Sequence, residues 1–172
     1  MRMRVALLSG VLALSLAACS GGEVPATEWA GAVCEALRPW QAEIDELTAD
    51  ANVAMNPEST PEQARDQLLD LLAGAAEASR TAHEEVTAAG VPDVPDGAHI
   101  ATVFADSLAA TGDAYQGAHD RLSDLDPAAP DFYDQVAQVM SDLSEEYAAV
   151  PQVAALDSTE LSEAFAATPE CA

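Results

Sequence analysis

Residues 59–90 read STPEQARDQLLDLLAGAAEASRTAHEEVTAAG, and this stretch carries the signals for a complete helix. Ser59 and Thr60 are good N-cap residues, and Pro61 suits the first helical position, where its missing N–H is not needed. Gly90 is a typical residue just beyond a helix C-terminus. Steps of three and four predict one buried face, formed by Leu68, Leu72, Ala75, Ser79, Ala82, Val86 and Ala89.

The same spacing predicts one long helix before this stretch and two after it. Helix one starts after Thr27 as N-cap and ends at Asn56-Pro57, and Pro39 inside it predicts a kink. Its expected buried face consists of Val33, Leu37, Trp40, Ile44, Leu47, Ala51 and Ala54. Helix three is predicted from Ile100, Phe104, Leu108, Thr111, Tyr115, Ala118, Leu122 and Leu125, and helix four from Phe132, Val136, Val139, Leu143, Tyr147 and Val150.

A short closing helix is predicted near the C-terminus, with Asp157 as its cap and Glu160 three residues later. No segment alternates apolar and polar residues, so we expect essentially no sheet. Four long helices with short connections predict an all-α, up-down-up-down four-helix bundle over residues 27–172, with the short helix as a fifth element.

The N-terminus has the pattern of a secretory signal peptide. Arg2 and Arg4 precede an apolar run, residues 5–16, which is too short to span a bilayer because that needs about 20 apolar residues. Leu16-Ala17-Ala18-Cys19 resembles the lipobox of bacterial lipoproteins. The resemblance implies cleavage after residue 18, a diacylglyceryl group on Cys19 and often a further acyl chain such as palmitate. The alternative is an ordinary cleaved signal with a coincidental cysteine.

If the lipobox is genuine, residues 19–26 form a flexible tether and the domain lies on the extracellular side of the cell membrane. The chain without residues 1–18 keeps four arginines, no lysine and all 30 acidic residues, a net charge of −26. Such a charge repels phosphate backbones, so nucleic acid is not an expected partner. The absence of lysine and the abundance of alanine suggest a GC-rich genome, as in actinobacteria.

With Cys19 lipidated, the remaining cysteines are Cys34 and Cys171. An exported chain meets an oxidising compartment, so we expect these two to form a disulfide. A metal site is the weaker alternative, because no histidine lies near either cysteine in the sequence. The predicted topology agrees with the disulfide, since the end of helix four returns to the start of helix one.

No catalytic motif is present, and we predict no enzyme, cofactor or metal site. His83-Glu84-Glu85-Val86-Thr87 begins like a zinc-protease helix but has Thr87 where the second histidine ligand belongs. His83 and His99 flank one loop and could bind a metal weakly, although solvated histidines are the favoured interpretation. The same holds for two acidic stripes, interpreted as solvated faces: Asp66, Asp70, Glu77 and Glu84 on helix two, and Asp106, Asp113 and Asp120 on helix three.

The two tryptophans are three helical turns apart on helix one. Trp40 lies on the apolar face and is predicted to be core. Trp29 precedes that face, and it either covers the disulfide or stays partly exposed as a contact surface.

The mature chain also resembles small actinobacterial lipoproteins of unknown function. The resemblance rests on residues 29–40 around Cys34, on the loop 90–97 and on the tail 161–171. It implies a helical exported domain and no activity. We therefore expect a lipid-anchored, non-enzymatic interaction or adaptor module with an unidentified protein partner. The alternative is a helical-bundle carrier that binds a small cationic or metal ligand through acidic residues and histidines.

Overall fold

A computed structural model describes residues 22–54, 58–150 and 158–171. Cys19, the signal peptide, the Asn56-Pro57 turn and Asp157 lie outside the described residues, and the predictions made for the first three stay predictions. The elements in chain order are β1 (Glu23–Val24), α1 (Ala26–Ala54), α2 (Pro61–Ala88), β2 (Val91–Pro92), α3 (Gly97–Ser123), α4 (Phe132–Ala149), α5 (Thr159–Ala167) and a 3₁₀ turn (Pro169–Cys171).

The all-α helical bundle predicted from the sequence is confirmed. Each long helix packs against the next one in the chain, and α5 with the 3₁₀ turn packs against α1. Cys34 and Cys171 form the predicted disulfide, with Cα atoms 5.2 Å apart. It joins the first turns of α1 to the end of the chain. None of the helices in the described ranges is long and apolar enough to cross a membrane.

The expectation of no sheet is wrong in one place. Strands β1 and β2 form a short parallel ladder in which Glu23 pairs with Val91 and Val24 with Pro92. The Asp93 backbone N–H also donates to the Val24 carbonyl oxygen at 2.8 Å. Two-residue strands are too short to show alternation, so the sequence pattern could not reveal them. The predicted tether, residues 19–26, is consequently not free at its C-terminal part.

The start and end signals of α2 are confirmed. The Thr60 side chain accepts from the Gln63 backbone N–H, and the Gln63 side chain accepts from the Thr60 N–H, which makes a reciprocal capping box. Gly90 has a φ of +83°, which glycine adopts without strain. The predicted face of α2 is buried from Leu68 to Val86, and only Ala89 at its end is half-buried.

Other helix starts differ from the predictions by one or two residues. Helix α1 begins at Ala26 rather than after Thr27, and the backbone N–H of Trp29 donates to the Pro25 carbonyl oxygen at 3.0 Å. Helix α5 is capped by the Ser158 side chain, which accepts from the Leu161 N–H, instead of by Asp157. Helix α1 also continues to Ala54 with Pro39 inside it.

The buried core is divided between the two ends of the bundle. At the end that carries Gly90, called here the Gly90 end, residues of α1, α2, α3 and α5 meet. They are Trp29, Val33, Ala36, Ala82, Val86, Ile100, Phe104, Leu108 and Leu161. At the far end α2, α3 and α4 meet through Leu68, Leu72, Ala114, Ala118, Leu122, Val139 and Leu143.

This division corrects the predicted buried face of α1. Val33 and Ala51 are buried, but between them Leu37, Trp40, Ile44 and Leu47 are only half-buried. The reason is that α4 packs mainly against α3, while α5 covers only the beginning of α1. The middle of α1 therefore packs chiefly against α2, and one side of the α1–α2 pair stays open.

Candidate functional site

A groove of about 330 Å³ lies on the open side of the α1–α2 pair, and we call it the α1–α2 groove. Its size is at the lower end of the range for small-molecule sites. Helix α1 contributes Ala36, Pro39, Trp40 and Glu43, and α2 contributes Gly74, Glu77, Ala78, Thr81, Ala82 and Glu85.

Two contacts fix how the helices face each other along the groove. The Trp40 indole N–H donates to the Ser79 hydroxyl oxygen at 3.1 Å. Seven residues later on α1, Leu47 lies so close to Gly74 that a Cβ on Gly74 would come 2.8 Å from a Leu47 methyl carbon. The helices are thus antiparallel, and Glu43 lies opposite the α2 stretch that contains Glu77. Glu85 lies further toward the Gly90 end.

The floor of the groove is apolar because the residues there are small. Ala36 and Ala82 are buried, while Gly74 and Ala78 are half-buried, so no long side chain fills the space between the helices. Trp40 forms a wall, and its half-buried ring is held by the bond to Ser79. Ser79 is fully buried and donates in turn to the Ala75 carbonyl oxygen at 2.8 Å. An aromatic side chain held in place beside an open groove can pack against the apolar part of a ligand.

The rim of the groove is negative. Glu43, Glu77 and Glu85 are all exposed there. Glu77 is ion-paired with Arg80, one helical turn away. Glu43 and Glu85 have no ion pair in the part of the chain that the structure describes.

The other arginines of the mature chain are engaged elsewhere. Arg38 donates to the Glu170 carbonyl oxygen, Arg65 pairs with Asp66, and Arg121 pairs with Glu146 at 2.9 Å. The hydrogen bonds that Arg121 donates to the Glu146 carboxylate raise the pKa of Arg121 above its ordinary value. No cation of the chain other than Arg80 therefore competes for the groove carboxylates within the described residues.

The histidines do not converge on a site. The His83 Nδ1 atom lies 2.9 Å from the Ala105 carbonyl oxygen, so His83 links α2 to α3. His99 is exposed, and His119 lies beside Asp120 at 3.2 Å. Hydrogen bonds from His119 and Gln116 lower the pKa of Asp120. No group of three His, Cys, Asp or Glu residues in the described ranges could hold a metal ion.

The acidic stripes are exposed, as the interpretation of solvated faces requires. This holds for every member of both stripes on α2 and α3. Glu77 differs from the others because it also lines the α1–α2 groove. The sequence analysis named Glu77 only as part of a stripe, and it named Glu85 only within the failed zinc motif.

Trp40 is less buried than predicted, and of the two alternatives for Trp29 partial exposure is wrong. Trp29 is fully buried, and its ring lies 5.3 Å from the Phe104 ring and 6.0 Å from the Phe165 ring. Its indole N–H donates to the Gly90 carbonyl oxygen at 3.1 Å. Trp40 was predicted to be core and is instead a half-buried wall of the groove. Helix α5 covers the position of Trp29 but does not extend to that of Trp40.

The groove was not predicted from the sequence: Glu43 and Thr81 were not singled out, and Pro39 was named only as the cause of a kink. One sequence pattern could have indicated the groove. Gly74, Ala78 and Ala82 follow one another at steps of four on α2, beside the buried face, and such small residues leave room between helices. Glu43 carries no signal in the sequence, because acidic residues are frequent throughout the chain.

A second hollow, of about 410 Å³, lies between α3 and the C-terminal part of α4. Its carboxylates include Glu146, which is held by both terminal nitrogens of Arg121 at 2.9 and 3.2 Å. The rings of Tyr115 on α3 and Tyr147 on α4 lie 6.4 Å apart, and burial raises the pKa of Tyr115. Because Glu146 is already paired, this hollow offers less free charge than the α1–α2 groove.

Comparison with protein-family models, with curated protein sequences and with solved structures gave no match to this chain.

Proposed function

We propose that this chain is a lipid-anchored, extracytoplasmic and non-enzymatic binding module that holds a positively charged, partly apolar ligand in the α1–α2 groove. The observation that carries the proposal is the composition of that groove. Its floor is apolar, Trp40 forms a wall, and Glu43 and Glu85 on its rim have no positive partner in the described ranges. An apolar lining with a few charged groups is typical of ligand sites.

The geometry favours the carrier interpretation over the adaptor interpretation. An adaptor surface is expected to be a contiguous exposed apolar patch. The large apolar side chains that stand out as exposed in the described part are Val53, Tyr133 and Tyr147. Tyr133 packs against Phe132 and Tyr147 against Tyr115, so two of the three already have aromatic neighbours. A carrier for a metal ion is not supported, because the described residues contain no group of three His, Cys, Asp or Glu side chains that could hold one.

A non-enzymatic role agrees with the state of four side chains that could otherwise act as nucleophiles. Cys34 and Cys171 are joined to each other. The buried hydroxyls of Ser107 and Thr111 donate to backbone carbonyls of their own helix at 2.8 Å. Such bonds hold the hydroxyl protons away from a general base.

The lipid anchor belongs to the proposal and gives it an orientation. Strand β1 starts at Glu23, and the four residue steps from Cys19 extend at most about 15 Å. A lipid on Cys19 would therefore hold the Gly90 end close to the membrane. The groove runs along the side of the bundle, so a ligand would reach it without entering the membrane.

The anchor is tested on membranes of the producing cell. Mass spectrometry of the mature protein is expected to find Cys19 as the N-terminal residue with its lipid, and Cys19→Ser is expected to move the protein into the soluble fraction. A mature N-terminus at any other residue, or an unlipidated Cys19, would overturn this part of the proposal.

The binding function is tested with three probes that share one apolar chain: octylamine, octanol and octanoate. Titration calorimetry on the mature domain without its lipid is expected to detect binding of octylamine, with octanol about fivefold weaker because it lacks the ion pair. Octanoate should be weaker still, because the carboxylates of the groove repel it. Trp40 fluorescence should change with the same affinity, and Trp40→Phe should remove that change. Equal binding of the three probes, or no binding of octylamine, would overturn the proposed function.

A further inference from the structure

The charges of the α1–α2 groove lie at its two ends. Trp40 faces Ser79, and Leu47 faces Gly74, so Glu43 lies at the same level as Glu77. Glu85 is eight residues beyond Glu77 on the same helix, a distance of about 12 Å along the axis. The groove thus has one negative end at Glu43 and Glu77 and another at Glu85.

The middle of the groove is apolar. Ala78 and Ala82 lie between the two negative ends on α2, and Pro39 and Trp40 lie opposite them on α1. Thr81 supplies a hydroxyl to the lining. An ion in the middle would lose water without gaining a carboxylate, whereas methylene groups gain apolar contact there.

The two ends differ in how much of their charge is free. Glu77 is paired with Arg80, so Glu43 supplies the uncompensated carboxylate at its end. At the other end, Glu85 has no ion pair among the residues that the structure describes. Each end therefore offers about one free negative charge.

We infer that the groove binds a linear dication with an apolar spacer, a long α,ω-diamine, one ammonium group pairing with Glu43 and the other with Glu85. This inference rests on the function proposed above and specifies its ligand. The methylene chain lies over Trp40 and Ala78. A single-charged amine can use only one end of the groove, and a short diamine cannot span both.

The test compares diaminooctane with octylamine and with diaminobutane by titration calorimetry at physiological salt, where general attraction to an acidic protein is screened. Diaminooctane is expected to bind about fivefold more tightly than octylamine, the gain that one further exposed ion pair can give. Diaminobutane is expected to be weaker than both, because it has neither the second contact nor the long apolar chain.

Two substitutions with matched controls locate the charges. Glu43→Gln and Glu85→Gln should each remove the advantage of diaminooctane over octylamine. Glu46→Gln and Glu84→Gln change the net charge equally, at exposed positions outside the groove lining, and should leave that advantage unchanged. The helix content of each variant, measured by far-ultraviolet circular dichroism, shows whether the fold is kept.

The possible outcomes separate the inference from the proposed function. If octylamine and diaminooctane bind equally well, or if the control variants weaken diaminooctane as much as the groove variants do, the dication inference is wrong. In the first case the proposed function stands as long as octylamine still binds better than octanoate. If no amine binds, both fail, and a macromolecular partner becomes the better interpretation.

Discussion

Loss of the Cys34–Cys171 disulfide is expected to lower the stability of the domain strongly without removing its fold. The two cysteines are 137 residues apart, so the bridge closes almost the whole domain into one loop. The chain-entropy treatment assigns about 5 kcal/mol to a loop of this length at room temperature. For a domain of about 150 residues, each kcal/mol corresponds to about 2–4 °C, so the melting temperature should fall by about 10–20 °C.

The structure also indicates what remains after the bridge is lost. Helix α5 stays in contact with α1 through buried Leu161 and Ala164 and through the ring of Phe165 beside Trp29. We therefore expect a helical, cooperatively melting domain at room temperature in the reduced protein.

The assay is thermal melting followed by far-ultraviolet circular dichroism, with and without dithiothreitol. The double variant Cys34→Ser, Cys171→Ser serves as the independent form without the bridge. A melting temperature within about 2 °C of the oxidised protein would refute the loop-entropy reasoning. Complete loss of helix at room temperature would refute the argument that the α5 contacts hold by themselves.

Three smaller perturbations test the packing and the electrostatics of the described residues. Gly97→Ala would put a Cβ 2.0 Å from the Pro92 carbonyl oxygen, so we expect a loss of about 3 kcal/mol in chemical denaturation. In the control Gly117→Ala the added Cβ would lie 3.9 Å from the Arg121 side chain, an ordinary contact, and the variant should gain about 0.5–1 kcal/mol. Ser79→Ala removes the acceptor of the Trp40 indole N–H and should cost about 1 kcal/mol, and an unchanged denaturation midpoint would contradict this. The carboxyl of Asp120 should titrate by NMR below an ordinary aspartate, because its histidine and glutamine neighbours lower its pKa. The ionised Asp120 carboxylate then contributes to stability above the ordinary aspartate pKa, and this contribution is lost as the pH falls through the lowered pKa. A measured pKa at or above the ordinary aspartate value would contradict this prediction.

Much of the fold follows from local patterns. The spacing of apolar residues predicted α2 and its buried face, and Thr60, Pro61 and Gly90 predicted its ends. The predicted pairing of Cys34 with Cys171 is confirmed as well. These features depend on short-range stereochemistry or on the count of cysteines, both of which the sequence contains directly.

The candidate site was much less predictable. Glu43 and Glu85 resemble many other glutamates of this chain, and only the packing of α1 on α2 brings them to one groove. The full burial of Trp29 and the partial exposure of Trp40 have the same origin. Helical periodicity gives the face on which a residue lies, but it does not say which other helix will cover that face.

The sequence by itself determined that the chain forms long amphipathic helices, where α2 begins and ends, and that the protein is strongly acidic with one cysteine pair for a bridge. Only the tertiary structure decided which parts of those helices are covered. Helix α4 packs on α3, and α5 covers only the Gly90 end. The middle of α1 is left beside α2 with an open groove, because burial depends on where each neighbouring helix stops, and that is a property of the packed chain as a whole.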